Sequence, residues 1–422
     1  MKITVLGLWH LGSVTAACGS THFSVVGLDE DKARVEALNQ GKAPLFEPGL
    51  DARLAENIAA GRLKFTTDEA AACAGADLLW LTCDTPVDEH DVSDVGSVMV
   101  SLRRALAHLP AGALVLVSSQ LPMGTCAGLE REFPQFHFAC SPENLRLGRA
   151  LDAFEKAERV VVGVRSEEKK ALIDELFAPF TSRILFMRTE SAEMVKHALN
   201  SFLALSVSYI NEIGRLCEHA GADAAEVSSG LKSDPRIGPR AYLGAGGAFA
   251  GGTLARDVVS LSGLGEKFGE TLELIPAIKV SNDFHRGWIF RKIRSRFGNL
   301  EGCKFAVLGL TYTPNTDTLR RSAAVELCHE LLGAGAHVLA FDPAVRTLPE
   351  DLAAVQLADL ETVLEGASAA IVCTEWPQFR QADWASLLPR LHQRVVIDPN
   401  RFLDQQLREF SHLEHLSVGR PS

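Results

Sequence analysis

The sequence predicts an α/β protein in which two parallel-sheet domains are joined by a long central helix and a helical middle domain. Short apolar strand segments alternate with helical stretches over residues 1–186 and again from Lys304 onward. Such alternation is typical of a parallel sheet covered on both faces. Between these regions, apolar residues recur at helical spacing for about thirty positions before Gly221. A chain of 422 residues is also long enough for two or three domains.

The two end regions repeat one strand-and-helix pattern. The strand candidates of the first region are ITVLGL, FSVVGL, ADLLWLTC, ALVLVSS, FHFAC and RVVVGV, and those of the last are FAVLGLTY, AHVLAFDP, AAIVCTEW and RVVIDPN. TVLGL (4–8) and AVLGL (306–310) open two similar units. We therefore predict Rossmann-like, doubly wound domains at residues 1–188 and 299–422, with a helical domain at 189–298 between them.

The composition excludes several classes of protein. The net charge of −11 argues against a general nucleic-acid binder. No apolar run reaches the ~18 residues that a membrane span requires. The N-terminus, MKITVLGLWHLG, has the pattern of a strand entering a turn and not that of a signal peptide. We therefore expect a cytoplasmic protein without a nucleic-acid or membrane partner.

The cysteines and histidines do not form a metal-ligand pattern. The nine cysteines contain no CxxC pair, which favours reduced and mostly buried thiols. The histidines are dispersed and no HExxH motif occurs. His412 and His415 form one close pair, which we interpret as surface residues. No metal site is predicted.

A glycine-rich turn follows the first predicted strand. Such a turn holds a pyrophosphate at the N-terminus of the next helix. In GLWHLG, Gly7 and Gly12 supply the first and third glycines of GxGxxG, but Trp9 replaces the second, where the backbone approaches the phosphates. Asp29 ends the second strand, where an acid binds an adenosine ribose and favours NAD over NADP. The alternatives are a domain that has lost its cofactor and a packing role for Trp9 between domains.

Six phrases along nearly the whole chain resemble the UDP-glucose/GDP-mannose dehydrogenase family, and they occur in the family's order. They are LNQGKAPLFEPGL (38–50, family LNxGxxPxxEPGL), CDTPVD (83–88, its GTP segment), SPENLRLG (141–148, PEFLxEG), AEMVKHALN (192–200, with its lysine and asparagine), SDPRIG (233–238, DxRIG) and LGLTYTPNTDTLRRS (308–322, LGxxFKPxTDDxRES). One phrase alone would be modest support, but six in order identify the chain as resembling this family.

The resemblance implies an architecture, a cofactor and a substrate class. Family members oxidise the primary alcohol of a nucleotide sugar to a carboxylate with two NAD. They combine a Rossmann domain, a long central helix that builds a dimer, and a C-terminal nucleotide-binding domain. The resemblance therefore implies NAD, an anionic nucleotide sugar and a homodimer for this chain. The residues it implies for cofactor binding are Gly7, Trp9, His10, Leu11, Gly12, Asp29, Thr85 and Arg320.

The family's residues for the first oxidation are present. Lys196 and Asp257 match positions at which a base or ordered water takes the alcohol proton, and Asn200 matches the residue that orients the substrate. Lys196 and Asn200 share one face of the predicted helix. The alternative for Lys196 is a solvated helix surface. Glu143 matches the glutamate that handles water in thioester hydrolysis.

The stretch GGAFAGGTLARD (246–257) departs from the family at its nucleophile. In the family a cysteine attacks the aldehyde intermediate, and the thiohemiacetal is oxidised to a thioester that water cleaves. This chain has Thr253 at that catalytic position. A thiol has a pKa near ~8.5 and reacts as thiolate, whereas an unactivated hydroxyl stays protonated at neutral pH. We therefore predict one two-electron step, with Thr253 as a hydrogen-bonding or packing residue.

Further departures indicate a rebuilt substrate pocket. Leu147 and Gln120 replace a family glutamate and threonine. The glycine pairs in 246–252 are expected to line a substrate loop facing the nicotinamide. The additional arginines suit a phosphate, phosphonate or carboxylate group. The positions implied for substrate binding are Asn144, Arg236, Arg240, Gly251, Gly252 and Arg256.

The leading hypothesis is an NAD-dependent dehydrogenase that acts on a nucleotide sugar in one two-electron step. The alternatives are a dehydrogenase or reductase of a small phosphorylated or phosphonate compound, a complete four-electron UDP-sugar dehydrogenase, and an inactive binding paralogue. The substitutions at Trp9 and Thr253 favour the paralogue, and the retained Lys196, Asn200 and Asp257 count against it.

Overall fold

The computed structural model describes residues 1–85, 94–143, 145, 147–250 and 253–421. These residues form two compact units, Met1–Leu199 and Asn200–Ser422. The division falls inside one long helix, so each unit is described separately. The three-domain division at residues 188 and 298 stays a prediction.

The first unit is a sheet with helices along the chain between its strands. The strands are β1 (Lys2–Leu6), β2 (Ser24–Leu28), β3 (Leu63–Thr66), β4 (Leu78–Leu81), β5 (Leu114–Val117), β6 (His137–Cys140), β7 (Val160–Val164) and β8 (Ile184–Met187). The helices are α1 (His10–Gly19), α2 (Lys32–Asn39), α3 (Leu50–Ala59), α4 (Glu69–Cys73), α5 (Val95–Leu106), α6 (Thr125–Glu132), α7 (Ala150–Glu155) and α8 (Glu167–Phe177). The strand order is β3-β2-β1-β4-β5-β6-β7-β8.

Alternating side chains of the central strands explain why this sheet is covered on both faces. In β4, Leu78 and Trp80 pack into one apolar cluster, while Leu79 and Leu81 pack into another. Successive strand residues point to opposite faces, so a strand buried throughout requires a layer on each side. The predicted α/β class is thereby confirmed. One detail differs from the prediction of a parallel sheet, because β7 pairs antiparallel with β6.

The second unit begins with helices. The long helix α9 (Thr189–Ala220) starts in the first unit and ends before Gly221, whose φ of +72° suits a left-handed helix terminus. It is followed by α10 (Ala224–Ser233), α11 (Thr253–Phe268), α12 (Leu274–Arg286) and α13 (Trp288–Phe297). Among the described residues, we find no helix with the length and apolar character needed to cross a bilayer.

A second sheet completes this unit. Its strands are β9 (Lys304–Leu308), β10 (His337–Phe341), β11 (Gln356–Leu357), β12 (Ala369–Val372), β13 (Val395–Ile397) and β14 (Glu414–Leu416). They lie in the order β11-β10-β9-β12-β13-β14, and all of these pairs are parallel. The helices are α14 (Ala323–Gly333), α15 (Leu360–Leu364), α16 (Pro377–Gln381), α17 (Trp384–Leu387) and α18 (Asp404–Leu407), with 3-10 turns at Glu350–Leu352 and Leu388–Arg390.

Both sheets have the same corner after their first strand. Gly7 and Gly309 have φ values of +89° and +87°, and a Cβ on either would lie within 2.6 Å of a neighbouring strand end. After each glycine, the next amide donates to the aspartate that follows the second strand of its sheet, at 2.7 Å in both cases. These are the bonds of Leu8 to Asp29 and of Leu310 to Asp342. The similar units predicted from TVLGL and AVLGL therefore share this geometry.

Candidate functional site

The turn between β1 and α1 has the close packing of a dinucleotide cradle. A Cβ on Gly12 would lie 1.7 Å from the carbonyl oxygen of Gly7, so only glycine lets α1 approach the turn. The first turn of α1 contains no acidic residue. The amides at the start of this helix therefore provide a favourable field for a pyrophosphate. The residues present fit NAD at this turn, because Gly7 and Gly12 allow the turn and α1 to lie close together.

Asp29 is placed at the end of β2 as predicted, but its carboxylate already makes several bonds. It is 6% exposed and accepts hydrogen bonds from the Leu8 and Asp31 amides. The Arg34 guanidinium lies 2.8 Å from both carboxylate oxygens and stacks over the Trp9 ring, 5.3 Å from its centroid. Asp29 therefore supports the turn in addition to any bond with a ribose, and Arg34 is a neighbour that motif spacing did not identify.

Trp9 occupies the position of the second glycine without backbone strain. Its φ is −71°, and its side chain is 39% exposed beside Arg34. A Cβ at this position limits how closely the backbone approaches a pyrophosphate. The cofactor role of Trp9 stays a prediction.

We expect Trp9→Gly to bind NAD about tenfold more tightly, because the amide of residue 9 could then approach the phosphates. Trp9→Phe keeps a side chain there and should bind like the wild type. Isothermal titration of NAD into the three proteins measures the difference. Weaker binding by Trp9→Gly would identify the indole as a cofactor contact instead.

The other residues predicted for the cofactor lie in both units. The His10 ring is 3.0 Å from the Glu47 carboxylate, which is buried and also accepts hydrogen bonds from the Gly148 and Ala150 amides. Leu11 is half-buried on α1. Thr85 is buried and donates its hydroxyl to the Gln120 carbonyl at 3.2 Å. Arg320, in the second unit, is exposed. These cofactor roles stay predictions.

Lys196 lies on α9 and is only 8% exposed, so it is not a solvated surface lysine. Its ammonium donates to the Glu143 carbonyl oxygen at 2.7 Å and lies 3.4 Å from the Glu143 carboxylate. The other oxygen of that carboxylate accepts from the Leu145 amide at 2.8 Å. The structure thus brings together two residues that the sequence places 53 positions apart.

A small cavity lies beside this pair. It has a volume of about 20 Å³, and the residues that line it include Ser119, Gln120, Glu143, Glu193 and Lys196. A cavity of this size has room for about one water molecule. The first unit therefore places Glu143 and Lys196 at a cavity that is large enough for a water.

The second unit contains another predicted pair. The Asn200 side-chain amide donates to Asp257, whose carboxylate is fully buried. Asn200 lies on α9 one turn after Lys196, and Asp257 lies in the first turns of α11. An amide donor fixes the orientation of a buried carboxylate and compensates for its loss of solvent. The predicted roles of Asn200 in orienting the substrate and of Asp257 in accepting a proton stay predictions.

The first glycine pair of GGAFAGGTLARD is explained by packing. A Cβ on Gly246 would lie 2.2 Å from the Asn400 side-chain oxygen, which accepts from the Gly247 amide at 2.7 Å. The Gly246 amide donates to Asn211 at 2.9 Å. These two glycines therefore leave room for the Asn400 side chain, and the expected substrate loop stays a prediction. Gly251 and Gly252 lie outside the described residues.

Two further side chains hold the same segment. Asn282 pairs with both backbone groups of Phe249, at 3.0 and 2.9 Å. His285 donates to the Gly246 carbonyl at 2.8 Å, and its other ring nitrogen lies 2.9 Å from an Arg215 nitrogen. Arginine only donates, so His285 must be neutral with its proton on Nε2. Burial accordingly lowers the pKa of His285 to about 4.

This histidine should make stability depend on pH. Its pKa is near 6.5 in the unfolded chain and about 4 when folded. Between these two pH values the folded state therefore binds fewer protons than the unfolded chain. The free energy of unfolding decreases as pH falls from about 6.5 through about 4, by up to about 3 kcal/mol. His285→Gln keeps one donor and one acceptor, and should lose less stability than the wild type between about pH 7 and pH 4.5. Thermal unfolding of both proteins over this pH range measures the difference in stability.

His329→Gln, at an exposed site, serves as the control. Equal pH profiles of stability for all three proteins would contradict the assignment of a neutral, buried His285.

The remaining predicted substrate residues are less grouped. Arg236 is exposed, with its side chain paired to Asp234 at 2.7 Å. Arg240 is exposed and Arg256 is half-buried on α11. Thr253 is the first residue of α11, and Asn144 lies outside the described residues. The substrate roles of these residues stay predictions.

The thiols of the described chain are poor nucleophiles where their pKa is resolved. Cys83 lies beside the cofactor turn, and burial together with the Asp29 carboxylate raises the pKa of its thiol to about 12. Burial also raises the pKa of the Cys18 and Cys328 thiols to about 12. Such groups contain almost no thiolate at neutral pH.

One histidine interpretation is wrong. His415 lies on β14 with a side chain only 7% exposed, 3.4 Å from Asp398 and 3.6 Å from Asp404. Its side chain lies between these two carboxylates, whereas the sequence analysis interpreted it as a surface residue paired with His412. In the residues that the structure describes, no group of three or more histidine, cysteine or acidic side chains has the arrangement of a metal site.

Comparisons with known proteins give consistent matches along the chain. Three models of the UDP-glucose/GDP-mannose dehydrogenase family match: its NAD binding domain at residues 1–181, its central domain at 190–284 and its UDP binding domain at 306–405. The UDP-glucose 6-dehydrogenase of Rhizobium meliloti (strain 1021) is 32% identical over 439 residues and 100% of both chains.

Solved structures are similar over the same length. A UDP-glucose dehydrogenase from the hyperthermophilic archaeon Pyrobaculum islandicum has a TM-score of 0.89 at 30% identity, and the match covers 100% of this chain and 98% of that one. A UDP-D-ManNAc dehydrogenase from Pyrococcus horikoshii has a TM-score of 0.86 at 26% identity, covering 100% and 99%.

Proposed function

The chain belongs to the UDP-glucose/GDP-mannose dehydrogenase family and is an NAD-dependent dehydrogenase of CH–OH groups, and from this premise we propose that it oxidises a UDP-sugar in one two-electron step. The observation that carries the proposal is the combination of a buried Lys196, paired with the half-buried Glu143, and a threonine at position 253. The first oxidation retains its polar groups, whereas the second lacks a thiol. The expected product is an aldehyde.

The proposed roles follow from charge and hydrogen bonding. Lys196 donates toward the hydroxyl oxygen of the substrate and stabilises the negative charge that develops as the proton leaves. Asp257, oriented by Asn200, accepts that proton through an ordered water. NAD, when bound, supplies the acceptor for the hydride of the alcohol carbon. The alcohol thus loses a proton and a hydride, and NADH and an aldehyde are formed.

A second oxidation would need a covalent or hydrated aldehyde. A threonine hydroxyl adds poorly to an aldehyde unless a base removes its proton. Glu143 therefore orders a water or the substrate in this proposal and does not hydrolyse a thioester. Its bonds to Lys196 and to the Leu145 amide suit such a fixed, structural carboxylate.

The test is the stoichiometry of NADH and the mass of the product, with UDP-glucose and NAD as reactants. One NADH per sugar and a product lighter by two hydrogens would support the proposal. Two NADH, with a product lighter by two hydrogens and heavier by one oxygen, would establish the four-electron reaction instead. No turnover with NAD still bound would exclude UDP-glucose and favour another anionic alcohol.

The proposal includes a homodimer built on α9. Phe202, Tyr209 and Leu216 are 65%, 48% and 64% exposed and recur every seven residues, so they form one apolar stripe on this helix. A stripe of this spacing suits packing against the same helix of a second copy. Sedimentation at micromolar protein concentration tests this, and a monomer would contradict it.

A further inference from the structure

We propose that Glu193 is a positioning residue for the hydride-transfer step, which rests on the proposed function. Glu193 lies on α9 one turn before Lys196, and its side chain is 5% exposed. No motif used in the sequence comparison assigns it a role. Its two carboxylate oxygens accept hydrogen bonds from different backbone amides, those of Gly124 at 2.6 Å and of Cys126 at 3.0 Å.

These bonds supply the cap that α6 lacks. The N-cap residue of α6 is Gly124, with φ +88° and no side chain to accept a bond, and the first turn contains no acidic residue. The first amides of a helix need acceptors, and an anion there is favoured by the helix dipole. Glu193 provides both functions from a different helix. It therefore fixes the start of α6 to the turn of α9 that precedes Lys196.

The loop before α6 borders the small cavity beside Lys196. Gln120, at the start of this loop, lines the cavity together with Glu143 and Lys196. The Gln120 carbonyl also accepts the hydroxyl of Thr85, one of the residues implied for cofactor binding. The neighbouring Ser119 hydroxyl donates to the Cys83 carbonyl at 2.7 Å. A shift of the α6 terminus would therefore move the Gln120 loop relative to Lys196 and to Thr85.

A shift of this loop would affect the alignment of the reacting groups. Hydride transfer requires the donor carbon and acceptor to be aligned, and a misplacement of about 1 Å can cost on the order of 100-fold in rate. Glu193 touches backbone amides, and we assign it no contact with substrate or cofactor. Its loss should therefore lower kcat and leave the KM values for NAD and the UDP-sugar nearly unchanged.

The first measurement uses Glu193→Gln, which keeps the size of the side chain but can accept from only one amide. We expect kcat to fall about tenfold or more, with both KM values within about twofold of the wild type. The primary deuterium isotope effect on kcat should rise, because hydride transfer becomes slower relative to product release. Glu193→Asp retains the charge and should recover part of kcat. Glu190→Gln, one turn earlier in an exposed pair with Arg165, is the matched control and should remain at the wild-type rate.

Hydrogen exchange gives a second readout that does not depend on turnover. In Glu193→Gln, the amides of Gly124 and Cys126 should exchange faster, and so should the peptide containing Gln120 and the peptide containing Thr85. Faster exchange confined to the start of α6, or an unchanged kcat, would overturn the positioning role. If the wild type does not oxidise any UDP-sugar, the proposed function fails, and exchange in the Gln120 and Thr85 peptides still decides whether Glu193 holds the loop.

Discussion

Lys196→Met is expected to lower kcat by about 100-fold or more, with NAD affinity within about twofold of the wild type. Methionine fills a similar volume but carries neither charge nor donor. The substrate oxygen then loses the group that stabilises its developing charge, and Glu143 loses its ammonium partner. Initial rates of NADH formation and an NAD titration measure the two quantities separately.

A loss of folding must be separated from a loss of chemistry in this variant. Removal of Lys196 leaves the half-buried Glu143 charge without its partner, which destabilises the fold. Thermal unfolding of Lys196→Met therefore accompanies the kinetics. Lys170→Met is the matched control, since Lys170 pairs with Glu167 at the surface of α8. A folded Lys196→Met protein with a wild-type kcat would exclude the proposed role of the lysine.

Thr253→Cys is expected to change the stoichiometry from one NADH to two per UDP-sugar. Position 253 is the first residue of the 16-residue helix α11. The helix N-terminus lowers the pKa of a thiol and so increases its thiolate fraction at neutral pH. The thiolate adds to the aldehyde carbon. The adduct would then lose a hydride to a second NAD and become a thioester. Water cleaves the thioester and releases the carboxylate and the thiol. Product mass and NADH yield together measure this gain.

Two comparisons make the cysteine result specific. Thr253→Ser keeps a hydroxyl and should give one NADH per sugar, as in the wild type. Iodoacetamide should abolish the second oxidation of Thr253→Cys and leave the wild type active, because burial raises the pKa of thiols such as Cys83 and Cys328. A wild type that already yields carboxylate, unchanged by the cysteine, would show that a hydroxyl or water performs the second step.

The architecture could be predicted because its signals are local in sequence. Runs such as LLWL are apolar at every position, and this pattern predicts a strand buried on both faces. Four strands were missed because they lack such a run: β3 contains the exposed Lys64, β8 and β14 are only half-buried, and β11 has only two residues. The antiparallel direction of β7 could not be inferred, since VVVGV has the same composition whichever way it runs.

The site was only partly predictable, because several of its residues act on distant backbone groups. Lys196 and Asn200 were identified from the resemblance of AEMVKHALN to the family, and the structure gives each an acidic partner. Glu193 bonds to amides 67 and 69 positions earlier, and His285 bonds to a carbonyl 39 positions earlier. A backbone group can form a hydrogen bond whatever side chain its residue carries, so the sequence does not show which residues are such partners. Such positioning groups become visible only in three dimensions.

The four side chains that hold residues 246–249 have a thermodynamic consequence for ligand binding. Asn211, Asn282, His285 and Asn400 restrain the backbone of this segment in the described chain. Ordering a residue costs about 1–2 kcal/mol in conformational entropy. That loss occurs here when the protein folds, so a ligand that binds this segment does not incur it again. A variant that releases the restraint should show its defect as a more unfavourable entropy of association, even where the bound complex has the same contacts.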